Sequence, residues 1–183
     1  MGIPFFKNFS LASTMKSFLL FLSFFLCLQF GFSQADWEMK LVVPISNPAG
    51  EREIVLDRYP RFHILMTNTS QETLKLWKDW NTWGFFNLNM VWEVEGQTHA
   101  IKKKTPTAWD GDFPDFWVAM PGETIILEVD MSTGEWEGIP DLYGEKIKAS
   151  LKATYENKTD GLARKFGIWV GKVESNEIEV VFN

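Results

Sequence analysis

Apolar and polar side chains alternate with a period of two through six stretches of the chain, the spacing of strands with one face buried and one wet. Trp37, Met39, Leu41 and Val43 make the first row, which Pro44 ends. Phe62, Ile64 and Met66 make the second, and Phe86, Leu88, Met90, Trp92 and Val94 the third. Ile125, Leu127, Val129 and Met131 follow, then Ile147, Ala149, Leu151, Ala153 and Tyr155, then Ile178, Val180 and Phe182. Shorter candidates lie at 53–56, 98–102 and 166–173, and Gly96-Gln97 suits a tight hairpin turn. Sheets with one apolar face must cover each other. The pattern therefore predicts an all-β, antiparallel sandwich of roughly seven to nine strands. No window sustains an apolar stripe of period 3.6. The nearest is 73–83, where Trp77, Trp80 and Trp83 recur every third residue and admit one short helical turn. Repeats and Pro/Gly-rich linkers are absent, which predicts one domain.

The first 33 residues read differently. Met15-Lys16 precedes a run from Ser17 to Phe32 without a charged side chain, and small residues follow it. This is the build of a secretory signal peptide, with cleavage after Ser33 or after Ala35. Residues 1–33 are thus expected to be removed and 34–183 to form the domain; Met15 is an alternative start. A membrane anchor of about 20 apolar residues would have to run into polar Ser33-Gln34 and charged Asp36. The reading is therefore an exported protein, periplasmic or extracellular, with no transmembrane segment after cleavage.

Export changes the charge and the cysteine count. Lys7 and Lys16 are the only charged groups of residues 1–33, so the formal charge moves from −6 to −8 once they leave. So acidic a domain lacks the basic face that nucleic acid requires. Cys27, the single cysteine, leaves as well. Disulfides, thiol catalysis and cysteine metal sites leave with it.

Asn68-Thr69-Ser70, Trp80-Asn81-Thr82-Trp83-Gly84, Phe113-Pro114, Pro121-Gly122-Glu123, Trp136, Trp169-Val170-Gly171 and Ser175-Asn176 together resemble a group of uncharacterised secreted bacterial proteins. That group is similar in turn to Ig-like or fibronectin-type sandwiches. The resemblance spans most of 34–183 and implies an Ig-like fold and an envelope location. It brings no catalytic or binding residues, and the Cys…Trp…Cys pattern of antibody domains is missing.

Nine tryptophans is the compositional oddity. Trp37 and Trp92 fall on apolar strand faces, while Trp77, Trp80, Trp83, Trp109, Trp117 and Trp136 fall in connections. Loops of a sandwich gather at its ends. Two readings follow: a second core packed under long loops, or an aromatic platform for a glycan or a protein partner. If a ligand surface exists, it is expected at Trp80, Trp83, Trp109 and Trp117, with Asp110 and Asp112 beside them. Asp110, Asp112 and Asp115 surround a glycine, and calcium is the one cofactor such a turn admits; an ordinary solvated turn is the plainer reading. Asp160 is a weaker candidate of the same kind. Lys102-Lys103-Lys104 reads as protection of a sheet edge. Asn68-Thr69-Ser70 and Asn157-Lys158-Thr159 match the glycosylation sequon.

Catalysis finds little support. His63 and His99 stand alone in predicted strands, and no Gly-x-Ser-x-Gly, His-Glu-x-x-His or Gly-rich phosphate loop occurs. The expectation is a non-enzymatic binding or structural module of the cell envelope, partnered by a protein or glycan. A secreted protease inhibitor of Ig-like fold is the alternative, and a carbohydrate-binding module using the tryptophans stands third.

Overall fold

Residues 35–43, 54–56, 59–109, 113–142, 146–158 and 160–182 are described in a computed structural model of the chain. Strand takes 53% of them and helix 7%, so the fold is all-β. The strands are β1 (Trp37–Val42), β2 (Val55–Leu56), β3 (Arg61–Asn68), β4 (Leu74–Trp77), β5 (Leu88–Val94) and β6 (Gln97–Lys103). They continue as β7 (Phe116–Ala119), β8 (Thr124–Asp130), β9 (Trp136–Glu137), β10 (Ile147–Asn157), β11 (Gly171–Glu174) and β12 (Ile178–Phe182). One short helix, α1 (Gly161–Phe166), precedes β11.

Three sheets result. The smaller main sheet has the order β1-β3-β8. The larger has the order β2-β12-β10-β5-β6-β9, with β11 also on β10. A separate ribbon pairs β4 with β7. The eight strands longer than two residues in the main sheets fall within the predicted number. All pairings are antiparallel except β2 with β12.

The alternation becomes a single shared core. Trp37, Met39 and Leu41 of β1, Phe62, Ile64 and Met66 of β3, and Ile125, Leu127 and Val129 of β8 point one way. They join Leu88, Met90, Trp92 and Val94 of β5, Leu151 and Tyr155 of β10, and Phe182 of β12 in one cluster. Trp92 stacks on Phe182 at 5.1 Å and meets the edge of Phe62 from the other sheet at 6.3 Å. Each such large side chain contributes on the order of 2 kcal/mol by its burial. This is a sandwich-like arrangement.

Several predicted details shift. The hairpin turn is Glu95-Gly96 rather than Gly96-Gln97, because Val94 pairs with Gln97. Both turn residues take positive φ, 50° and 77°, as a two-residue turn matched to strand twist requires. Phe86 lies before β5, exposed. Of the 53–56 candidate, only 54–56 is described, and there β2 covers two residues. The 166–173 candidate divides: Phe166 ends α1, and β11 begins at Gly171. Asp160 is the cap of that helix, its carboxylate accepting from the Ala163 N–H at 2.5 Å, the ordinary role of an aspartate before a helix. The three lysines do not guard a bare edge, for β9 pairs there. Lys102 meets Glu137 at 3.3 Å, and Lys104 donates to the Gly134 carbonyl at 2.8 Å.

The two main sheets are also joined at an edge. Thr154 lies opposite Glu174 and Leu151 opposite Ile178, so the chain carries one residue more than β10 between these points. This is a β-bulge. The Ser175 N–H donates to the Ala153 carbonyl, and the Ser175 hydroxyl accepts from the Ala153 N–H, both at 2.9 Å. Asn176 then reaches β1: its Oδ1 accepts from the Leu41 N–H at 2.9 Å, and its Nδ2 donates to the Leu41 carbonyl at 3.5 Å. A side-chain amide thereby replaces a neighbouring strand. Asn176→Ala should lower stability by about 1–2 kcal/mol, read as a lower urea midpoint at unchanged slope. An unchanged midpoint would show that the stitch contributes nothing.

Tyr155 supplies a pH signature. Burial pushes its hydroxyl up to about 12; the Asn87 amide donating at 3.2 Å opposes this, and the charge of Asp79 adds to it. Between about pH 10, the unfolded value, and 12 the native state retains a proton the unfolded chain has lost. Stability from this group is complete below pH 10 and falls as pH rises through that window. The urea midpoint should drop across pH 10–12, and less steeply in Tyr155→Phe. Phenolate absorbance from Tyr155 appearing near pH 10 without unfolding would contradict this.

Candidate functional site

The β4–β7 ribbon has two faces with different fates. Leu76 and Ala119 are buried in the main core, which roots the ribbon to the sandwich. Trp77, one residue on, faces away from Leu76 by strand alternation and starts a second core with Ala163 and Ile168, packed by Trp83, Phe116, Leu162 and Phe166. Trp77 contacts Trp83 at 5.7 Å, Phe166 at 5.9 Å and Phe116 at 6.3 Å. Residues 73–83 are therefore a strand and a turn, not the helical turn that the tryptophan spacing admits. Both faces of β4 are buried at Leu76-Trp77, which erases the alternation that reveals other strands.

A buried asparagine makes that turn. Asn81 Oδ1 accepts from the N–H groups of Trp83 and Gly84 at 3.1 and 3.0 Å, and Nδ2 donates to the Asp115 carbonyl at 2.8 Å. Gly84 admits no side chain, since a Cβ there would stand 2.1 Å from the Lys78 carbonyl oxygen. Asn68, also fully buried, does the same for two other turns. Its amide donates to the carbonyls of Glu72 and Ala119, and its Oδ1 accepts from the Ser70 N–H. Asn157 is buried with its amide on the Trp169 carbonyl. Both asparagines of the sequons are thus interior structural groups.

The sequence-selected tryptophans separate into distinct surroundings. Trp83 is half-buried in the second core. Trp109 is half-buried against Phe85 at 5.2 Å and Phe86 at 6.4 Å; Lys103, its side chain nearly buried, lies over Phe85 at 4.4 Å. Trp136 and Trp77 are buried. Trp80 and Trp117 are 44% and 36% exposed. Trp80 packs in a T-shape on Phe113, itself 57% exposed, at 5.0 Å. Asp110 and Asp112 lie outside the described residues.

Around Trp117 the structure adds Lys78, which the sequence did not single out, and gives Asp115, a carboxylate of the calcium candidate, a lysine as its partner. The Lys78 ammonium lies 4.9 Å over the Trp117 ring and 2.8 Å from the Asp115 carboxylate. Asp115 also accepts from the Phe116 N–H at 2.8 Å. The Lys78 hydrogen bond, aided by that N–H, holds the Asp115 carboxyl below its ordinary value, against a smaller effect of burial. Lys78 and Asp115 are far apart in sequence, and only the ribbon ladder, seen in the Lys78 N–H on the Asp115 carbonyl at 3.1 Å, brings them together. Val118, which faces away from Trp117 by strand alternation, and Met120 past the end of β7 are also exposed.

A second surface is a hollow of about 590 Å³ on the larger sheet, with Glu93, Glu95, Glu177 and Glu179 beside Lys148 and Ser150. Its four carboxylates outnumber its one ammonium but do not converge. Among the described residues, no three His, Cys, Asp or Glu are grouped to hold a metal ion. Among the same residues, no helix is long and apolar enough to cross a membrane.

Trp77 and Trp80, three residues apart, should behave oppositely. Trp77→Ala removes the centre of the second core and should cost about 3–5 kcal/mol, whereas Trp80→Ala should stay within about 0.5 kcal/mol of the parent. Equal losses in urea unfolding would refute the division into a packed face and an open one.

No protein-family model matches the chain, and no curated protein matches it significantly.

Proposed function

We propose that the chain is an exported, non-enzymatic binding module of Ig-like fold that meets a component of the bacterial cell envelope through exposed aromatic side chains on and beside the β4–β7 ribbon. The Ig-like part is supported by strand order. In chain order, β1, β3 and β8 match strands A, B and E of one Ig sheet. The run β12-β10-β5-β6 matches G-F-C-C′ of the other. Trp92 occupies the place of the buried strand-C tryptophan, with Phe62 of β3 against it where antibody domains carry their disulfide. The ribbon and β9 are additions to that plan. Export is supported by Lys16 and the uncharged run from Ser17 to Phe32.

The observation that carries the binding reading is the set of exposed large apolar side chains on and beside the ribbon: Trp117 and Val118 of β7, Met120 after it, and the Trp80–Phe113 ring pair. Large apolar side chains left exposed on a chain with ample core elsewhere support an interaction site. Envelope fragments from the bacterial host should carry the exported protein into the pellet. Trp80→Ala/Trp117→Ala should leave it in the supernatant, and Val91→Ala, an exposed change on the larger sheet, should not. Co-sedimentation of the double variant at parental level would move the contact elsewhere. Retention of residues 1–33 by the cellular protein would end the export reading.

A further inference from the structure

We propose that the ligand of this ribbon is a glycan, with Trp117 and Trp80 as stacking platforms for sugar rings and Lys78 and Asp115 as the hydrogen-bonding pair for their hydroxyls. The inference rests on the ribbon being the contact surface and adds the chemistry of what it contacts.

The first argument is the pairing of groups. An ammonium only donates and a carboxylate only accepts. Lys78 and Asp115 present one of each, 2.8 Å apart, with side chains 27% and 33% exposed. A sugar hydroxyl both donates and accepts, so neighbouring hydroxyls can engage both partners at once without separating the pair. Asp115 is oriented by the Phe116 N–H, and its depressed protonation keeps it an acceptor in acid. The second argument is exposed aromatic area, from Trp117 beside that pair and from Trp80 two residues along the chain from Lys78. Trp117 lies against Lys78, and Trp80 is backed by Phe113. Indoles held by their neighbours lose little freedom on binding, and an indole face suits the C–H face of a pyranose.

A protein partner fits less well. A stable protein interface needs about 800 Å² from each side and an apolar centre depleted of charge. Here an ion pair abuts the exposed Trp117 ring, and covering it with protein would strip its water at a cost its attraction need not repay. A sugar leaves the pair partly hydrated.

The test uses the exported protein and three preparations of host envelope: untreated, proteinase-digested, and proteinase-digested then extracted with organic solvent. The last retains polysaccharide without protein or lipid. Binding should survive both treatments within about twofold. On the extracted polysaccharide, Trp117→Ala and Trp80→Ala should each weaken binding at least tenfold and Asp115→Asn several-fold. Trp117→Phe, which keeps a flat ring and guards against misfolding of the alanine variant, should retain part of the affinity. Loss of binding after proteinase, or after solvent, overturns the glycan assignment and leaves envelope binding standing with a protein or lipid partner. Binding that survives but ignores the tryptophan changes overturns the site. Absence of binding to untreated fragments removes the function itself, a failure of a different and recognisable kind.

Discussion

Trp92 stacks on Phe182 within its own sheet and takes the edge of Phe62 from the opposite one, and the arrangement of the two sheets depends on burial of this kind. Residues 34–183 contain no cysteine, so no covalent bond ties sheet to sheet. The indole contributes volume rather than polarity. Its N–H, like those of Trp37 and Trp77, has no hydrogen-bond partner among the described residues, and the cost of that group is outweighed by the apolar area the ring removes from water. Such a core makes register strict, because a slip of one residue would turn every inward side chain outward. The Ser175 bulge is the local consequence. β11 and β12 run along the same edge of β10 with one residue to spare, and the bulge absorbs it so that Val180 and Phe182 still point inward.

The parts of the fold visible in the sequence are those where one face is dry and the other wet. Trp37 to Leu41, Phe62 to Met66 and Ile125 to Val129 alternate because water lies on one side of the sheet. The ribbon was not visible because β4 is buried on both faces at Leu76 and Trp77, so that the tryptophan spacing, taken alone, imitated a helix. The short helix escaped for another reason: six residues give no stripe, and only Asp160 and Gly167 at its ends mark it. The asparagines carry no pattern of their own. Asn68, Asn81 and Asn157 look like loop surface, yet each is buried because an amide can satisfy backbone donors and acceptors where a turn has no strand to pair with.

The candidate site was legible by composition and not by position. An excess of tryptophan marks aromatic demand somewhere, but one indole in a core and one in solvent have the same letter. What separates them is the neighbour across the ladder. Trp77 has Phe116 opposite it and Phe166 over it; among the described residues Trp80 has only Phe113 as a ring neighbour. Lys78 had no local signal, and Asp115 showed only as part of an acidic turn, since a charged pair formed across a ribbon belongs to neither segment until both strands are in place.

The two cores bear on what the ribbon can do. An isolated two-stranded hairpin is marginal in water, and a platform on one would lose affinity to its own motion. Here Leu76 and Ala119 fasten one end into the main core, while Trp77 and Phe116 fasten the opposite face to the helix side. Lys75 adds a tie, donating to the Phe166 carbonyl at 3.0 Å with its ammonium 4.7 Å over Phe116. The exposed rings are thus carried by a strand pair whose conformation is decided elsewhere. Both faces of the ribbon are packed, and the partly exposed Trp117 and Trp80 belong to neither core.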